Sequence, residues 1–177
     1  MIIRRETESD ISAIRSVTAE AFRSAAHSAP PVAPGGDPGE VTLIEWLRDD
    51  ESWIPELSLV AVIDDTVVGH IVATRAHVGT APAVGIGPVS VLPAHQGKGI
   101  GSALMEFALG AADALGTPVA GLLGDPNFYG RFGFVPASAM GIESPDPAWG
   151  DYFQMRALST YAGEHGSFRY AEPFTRL

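Results

Sequence analysis

The chain has 177 residues, 46% of them apolar, a net charge of −10 and no cysteine. That length supports one domain with a substantial core, and the missing cysteine excludes disulfides, thiolate nucleophiles and cysteine metal sites. No run approaches the roughly 18 apolar residues of a membrane span, and Met1-Ile2-Ile3-Arg4-Arg5-Glu6 lacks the apolar core of a secretion signal. With no secretion signal and no cysteine a cytoplasmic protein is expected, and with no cluster of Lys and Arg the acidity speaks against nucleic acid.

In chain order, residues 2–6 read as a short strand. Thr7 and Ser9-Asp10 supply capping chemistry for a helix with Ile11, Ile14, Val17, Ala21 and Phe22 on one side. The segment 24–39 holds Pro30, Pro31, Pro34 and Pro38 among glycines and is expected to be an irregular, mobile loop that shapes an acceptor site. Val41, Ile44 and Leu47, with Trp46 beside them, mark a short second helix. Residues 57–63 and 67–78 are β-rich runs joined at Asp64-Asp65 as a hairpin.

The next strand, 84–92, changes parity. Its apolar residues sit first at even positions, Val84 and Ile86, and then at odd ones, Val89 and Val91. Side chains alternate with period two, so a change of parity takes one extra residue. Gly87-Pro88 lies at the slip, and a β-bulge is expected over Gly87–Val89. The alternative is that Val84 and Ile86 belong to a separate segment.

A helix over 99–115 is expected to bury Ile100, Leu104, Phe107, Ala108, Ala111 and Leu115, with Gly116 and Pro118 ending it. A strand over 118–123, a helical turn around 126–131, a strand opening at Phe134-Val135 and a last long strand over 152–158 follow. The tail from Ser159 carries Phe168, Tyr170 and Phe174, and is expected to pack as a C-terminal extension (159–177) of a single domain spanning 1–177.

Gln96-Gly97-Lys98-Gly99-Ile100-Gly101 follows an apolar strand and opens an amphipathic helix, and it holds the sole lysine of the chain. Glycines at a helix start expose unpaired N–H groups and the positive end of the helix dipole, a site for phosphate. Two familiar phosphate loops fail on spacing. Lys98 is followed by Gly99 where a P-loop needs Ser or Thr, and Ser102 stands where the dinucleotide fingerprint needs its third glycine.

The stretch from Val89 to Met105, with Gln-x-x-Gly-x-Gly over Gln96 to Gly101, resembles the acetyl-CoA signature of the GCN5-related N-acetyltransferase (GNAT) superfamily. Tyr129-Gly-Arg-Phe-Gly-Phe134 is similar to the family's Tyr-x-x-x-Gly-Phe element, and Gly124 to Pro136 looks like the YhbS-like bacterial subgroup. The resemblance implies an α/β (α+β) fold: a central mixed, mostly antiparallel sheet, splayed between strands 4 and 5, with helices on both faces. It also implies acetyl-CoA as cosubstrate, its pyrophosphate held by Gln96, Gly97, Lys98, Gly99, Ile100, Gly101 and Ser102. Its pantetheine arm would pair with the backbone of Val89, Ser90 and Val91, and an amide near Val89 or Ser90 would face the thioester oxygen. Tyr129 would be the general acid, or a packing tyrosine among Phe128, Phe132 and Phe134.

The base is open, with His70, His77, Glu20 and Glu45 as candidates, and His95 approaches a phosphate or sits in a turn. Leu122 replaces an asparagine that often contacts pantetheine in the family, and residues 85–90 hold no acid. The expected activity is acetyl transfer from acetyl-CoA to a primary amine of a small molecule or peptide, by direct attack in a ternary complex, by a monomer or homodimer without a metal. Transfer of another acyl group and a weakly catalytic acyl-CoA-binding regulatory module are the alternatives. The acidity either steers a cationic acceptor or only maintains solubility.

Overall fold

The computed structural model describes residues 1–177. One mixed sheet takes strands from almost the whole chain: β1 (Ile2–Arg5), β2 (Trp53–Ile63), β3 (Thr66–Val78), β4 (Ala81–Val91), β5 (Val119–Leu123), β8 (Phe153–Ala157) and the short β6 (Val135–Pro136), paired in the order β1-β2-β3-β4-β5-β8-β6. Helices α1 (Ile11–Phe22) and α2 (Gly39–Arg48) precede it, α3 (Ile100–Ala114) joins β4 to β5, and α4 (Pro126–Tyr129) is a single turn after β5. Every pairing along this path is antiparallel except β4 with β5. No helix is long and apolar enough to cross a membrane.

The two faces carry separate cores. Ile14, Val17 and Ile44 from α1 and α2 pack on Val60, Val67 and Val72. On the other face Ile100, Leu104 and Ala108 of α3 pack on Leu59, Ile71 and Val84. The β2–β3 connection is the expected two-residue turn, with Asp64 (φ 47°) and Asp65 (φ 60°) both at positive φ, the conformation that matches the twist of a hairpin.

The parity slip in β4 is a bulge. Ile71 of β3 faces Val89 and Ala73 faces Ile86, so Gly87 and Pro88 together oppose Val72. The extra residue keeps Val84 and Ile86 before it, and Val89 and Val91 after it, against the same core under α3. Gly87 has φ 143°, a conformation that side chains rarely adopt, which explains a glycine there.

Two expectations need correcting. The buried stripe of α3 is Ile100, Leu104, Met105, Ala108, Leu109 and Ala112, whereas Phe107 (56% exposed) and Leu115 (51%) face solvent. The stripe is centred toward Met105 and Leu109, so Phe107 lies off its flank; Leu115 follows the last turn and has no sheet beneath it. The tail from Ser159 also does more than pack. Its strand β9 (Gly166–Arg169) pairs with the end of β3, through Val78–Phe168 and His77–Arg169, and with β7 (Ile142–Glu143).

Candidate active site

Strands β4 and β5 touch only through Val84–Ala120 and Gly85–Gly121. Past Gly85 they diverge: β5 turns to β8, and β4 runs on to Val91 with no neighbour on that side. Which β4 groups face this gap follows from alternation. Leu92 N–H donates to Val68 O, so residue 92, and residue 90 two before it, direct their backbone groups at β3. Val89 and Val91 therefore direct theirs into the gap, and the Gln96 side chain already takes the Val91 carbonyl at 3.0 Å. Ser90 departs from expectation. Its backbone belongs to the β3 ladder opposite His70, and its buried hydroxyl lies 3.3 Å from that of Thr18 on the opposite face of the sheet.

At the end of β4 a 3-10 turn over Pro93–His95 leads into the glycine loop. Gly97 (φ 72°) and Gly99 (φ 82°) both take the left-handed conformation, with open space where a Cβ would project. The Ala103 N–H to Gly99 O bond of 3.0 Å is the first of the helix, so the amides of Ile100, Gly101 and Ser102 have no intrahelical acceptor. A cleft of about 480 Å³ opens over them. Gln96, Gly97, Gly99, Ile100, Gly101 and Ser102 form its floor, and Val89 and Val91 one side. Phe128, Tyr129 and Arg131 form the facing wall. His95 reaches this cleft as well; Lys98 does not, since its ammonium donates to Ala94 O at 2.9 Å.

On the other side of the gap lies a larger cleft of about 1160 Å³, and Val89 and Tyr129 belong to the walls of both. Tyr129 closes α4, whose start is capped by Asp125 through the Asn127 N–H. Its ring meets Phe128 edge-on at 4.9 Å and Phe134 at 6.1 Å. The ring packs in the aromatic cluster, while the hydroxyl makes no hydrogen bond within the protein and burial pushes its pKa up.

The candidate bases lie elsewhere. His70 is fully buried, hydrogen-bonded through Nε2 to Ser58 Oγ at 2.9 Å and 3.4 Å from Glu6, and burial pushes its pKa down. His77 is exposed beside β9, Glu20 is exposed on α1, and Glu45 is exposed and paired with Arg15. None of the four lines either cleft. Leu122 is a buried β5 residue in the core with α3, and Asn127 donates its N–H and Nδ2 to the capping Asp125, so neither is committed to the gap. The large cleft instead receives Glu40, Tyr170 and Phe174, which sequence reasoning did not place there. Arg131 was also missed; it stacks 4.6 Å over Phe128 in the wall of the smaller cleft. Its position two residues after Tyr129 was the one available signal.

Residues 55–136, which hold β4, the loop and Tyr129, match the family model described as an acetyltransferase (GNAT) domain. The uncharacterized N-acetyltransferase YjhQ of Escherichia coli K12 is 34% identical over 145 residues, covering 79% of this chain and 73% of YjhQ. The chain belongs to the GNAT family. Among solved GNAT structures, an acetyltransferase of Brucella melitensis in complex with acetyl-CoA is 35% identical, with a TM-score of 0.77 over 98% of this chain and 97% of that one. The YhbS N-acetyltransferase of E. coli in complex with CoA is 27% identical, with a TM-score of 0.84 over 99% and 92%. The splayed β4–β5 pair and the helices on both faces of the sheet are the GNAT fold.

Proposed function

We propose that this GNAT chain transfers the acetyl group of acetyl-CoA to a primary amine by direct attack in a ternary complex. One observation carries the reading: Val89 and Tyr129 are shared by the loop cleft and the large cleft, so a thioester between them meets both at once. The relatives crystallised with acetyl-CoA and CoA support the choice of cosubstrate. The free amides of Ile100, Gly101 and Ser102 suit a pyrophosphate. The backbone of Val89 and Val91 suits an extended amide-bearing arm, which would add to β4 like a strand.

The chemistry is acyl transfer. The amine loses a proton to water in the open cleft, its lone pair attacks the thioester carbonyl, and the Val89 amide donates to the developing oxyanion. The C–S bond then breaks, the sulfur keeps the bonding pair, and the Tyr129 hydroxyl supplies a proton to the thiolate. That hydroxyl is protonated at neutral pH at the ordinary tyrosine pKa of 10.0, and burial pushes it further up. Holding both reactants at Val89 supplies much of the rate, since a thioester is already activated.

Thiol release over a panel of amines tests the reading, with Tyr129→Phe as its control. The variant is expected to lower kcat about a hundredfold and to leave acetyl-CoA affinity within a few-fold. An unchanged kcat removes Tyr129 from the mechanism. CoA binding without thiol release from any amine replaces the transferase by an acyl-CoA-binding regulatory module.

A further inference from the structure

The large cleft is built by parts of the chain far apart in sequence. Phe22 of α1, Leu43 of α2 and Trp149 wall it together with Phe168, Tyr170 and Phe174 from the last ten residues. Three of these rings form one stack: Phe168 and Tyr170 meet edge-on at 4.8 Å, and Tyr170 and Phe174 lie 4.6 Å apart. Tyr170 reaches down to the point where β4 and β5 part. A Cβ on Gly85, the last β4 residue paired to β5, would stand 2.5 Å from its ring.

The charged groups at this cleft are few. Glu172 is paired with Arg176, Asp146 caps the Ala148 N–H on the exposed rim, Arg169 donates to Gly79 O, and His27 is exposed. Glu40 differs from all of these. It is only 8% exposed, accepts from Ala29 N–H at 2.6 Å and Ser28 Oγ at 3.0 Å, and has no cation within ion-pair distance. Two hydrogen bonds and its place in the first turn of α2 offset part of its desolvation, and an incoming ammonium would supply the counter-ion that the protein does not.

We infer that the acceptor is a primary amine on an aromatic or branched apolar body, that body seated against Tyr170 and Phe174, which Phe168 backs from the core, and its ammonium drawn into the cleft by Glu40. This rests on the acetyltransferase reading for the chemistry, but not for the binding. A hydroxyl-rich aminoglycoside would bury part of its polar surface against the apolar side of the cleft, where Phe22, Leu43 and Phe174 offer no partners. A polyamine would bring several ammonium groups to a cleft with one unpaired buried carboxylate. An arylalkylamine matches both features, with apolar contact along its body and one charge at its end.

The test uses the full chain with acetyl-CoA and four amines: phenethylamine, tryptamine, spermidine and kanamycin. Thiol release is expected to give kcat/KM for the first two at least about thirtyfold above the others. Phe174→Ala, and Glu40→Gln (which keeps an acceptor for the Ala29 N–H), are each expected to raise KM for phenethylamine about tenfold without moving KM for acetyl-CoA. Preference for spermidine or kanamycin, or an unmoved KM in both variants, overturns the inference. If no amine releases thiol, the transferase reading fails, and calorimetry on the CoA-saturated protein decides the inference separately. Phenethylamine bound more tightly than spermidine, and weakened by Glu40→Gln, supports it; no binding of phenethylamine, or tighter binding of spermidine, overturns it.

Discussion

The ring of Tyr129 lies flat against the backbone of Gly124, so closely that a Cβ on Gly124 would stand 2.2 Å from ring atom Cε2. Gly124 N–H donates to Tyr152 O and its carbonyl accepts from the Gln154 side chain at 2.8 Å, so the backbone is held from β8 and cannot retreat. Gly124→Ala is therefore expected to displace the Tyr129 hydroxyl from the β4–β5 gap. It should lower kcat at least tenfold, since small displacements at the reacting centre are costly, and leave acetyl-CoA affinity nearly unchanged. Steady-state kinetics with a calorimetric Kd checks this.

In the glycine loop the glycines and the lysine should separate clearly. Gly99→Ala forces a side chain into φ 82°, at about 1–2 kcal/mol, and puts a methyl where a phosphate would approach. Acetyl-CoA Kd is expected to rise more than tenfold, about 1.4 kcal/mol or more. Lys98→Ala is expected to change it by less than about threefold, because its ammonium is engaged by Ala94 O outside the cleft. Calorimetric titration of both variants with CoA measures the difference.

Stability should fall with acid in two stages set by the Glu6–Arg48–Ser58–His70 cluster. Burial keeps His70 neutral in the fold, so below its ordinary 6.5 the unfolded chain takes up a proton that the native one refuses. Burial also opposes the Glu6 carboxylate, but hydrogen bonds involving His70, Arg48 and Ser58 outweigh it and hold the pKa at about 2. The stabilisation from Glu6 is present in full above the ordinary 4.5 and is lost as pH falls from there toward about 2. Tm is expected to decline from pH 6.5 and more steeply below pH 4.5. His70→Gln should remove the first decline and leave a smaller second one, carried by Arg48 and Ser58, as thermal melts in a pH series would show.

Position on α3 decides the cost of truncating an apolar residue there. Leu104 has no exposed surface and packs from α3 onto the sheet, so Leu104→Ala is expected to cost about 2–5 kcal/mol. Phe107 is 56% exposed, and Phe107→Ala is expected to stay within about 0.5 kcal/mol. Denaturant unfolding of both variants tests the observed rotation of this helix against the one its larger residues suggest.

Local sequence specified the features that depend on backbone conformation and spacing over a few residues. The parity slip at Gly87-Pro88, the Asp64-Asp65 turn, the glycine loop and the interval from Tyr129 to Phe134 were legible because each is a short-range steric demand. The rotation of α3 was not legible, since Phe107 and Met105 are both apolar and only the sheet beneath selects between them. The backbone of Ser90 was assigned to the gap because the sequence does not reveal which way a strand residue turns its amide; the β3 register does. The walls of the large cleft depended most on long-range contacts. Phe22, Glu40 and Phe174 share it only because β9 pairs with the far end of β3 and brings the C-terminus onto α2, across more than a hundred residues of intervening chain. Such contacts come from the burial of separate segments together, and no periodicity within any one segment encodes its partner.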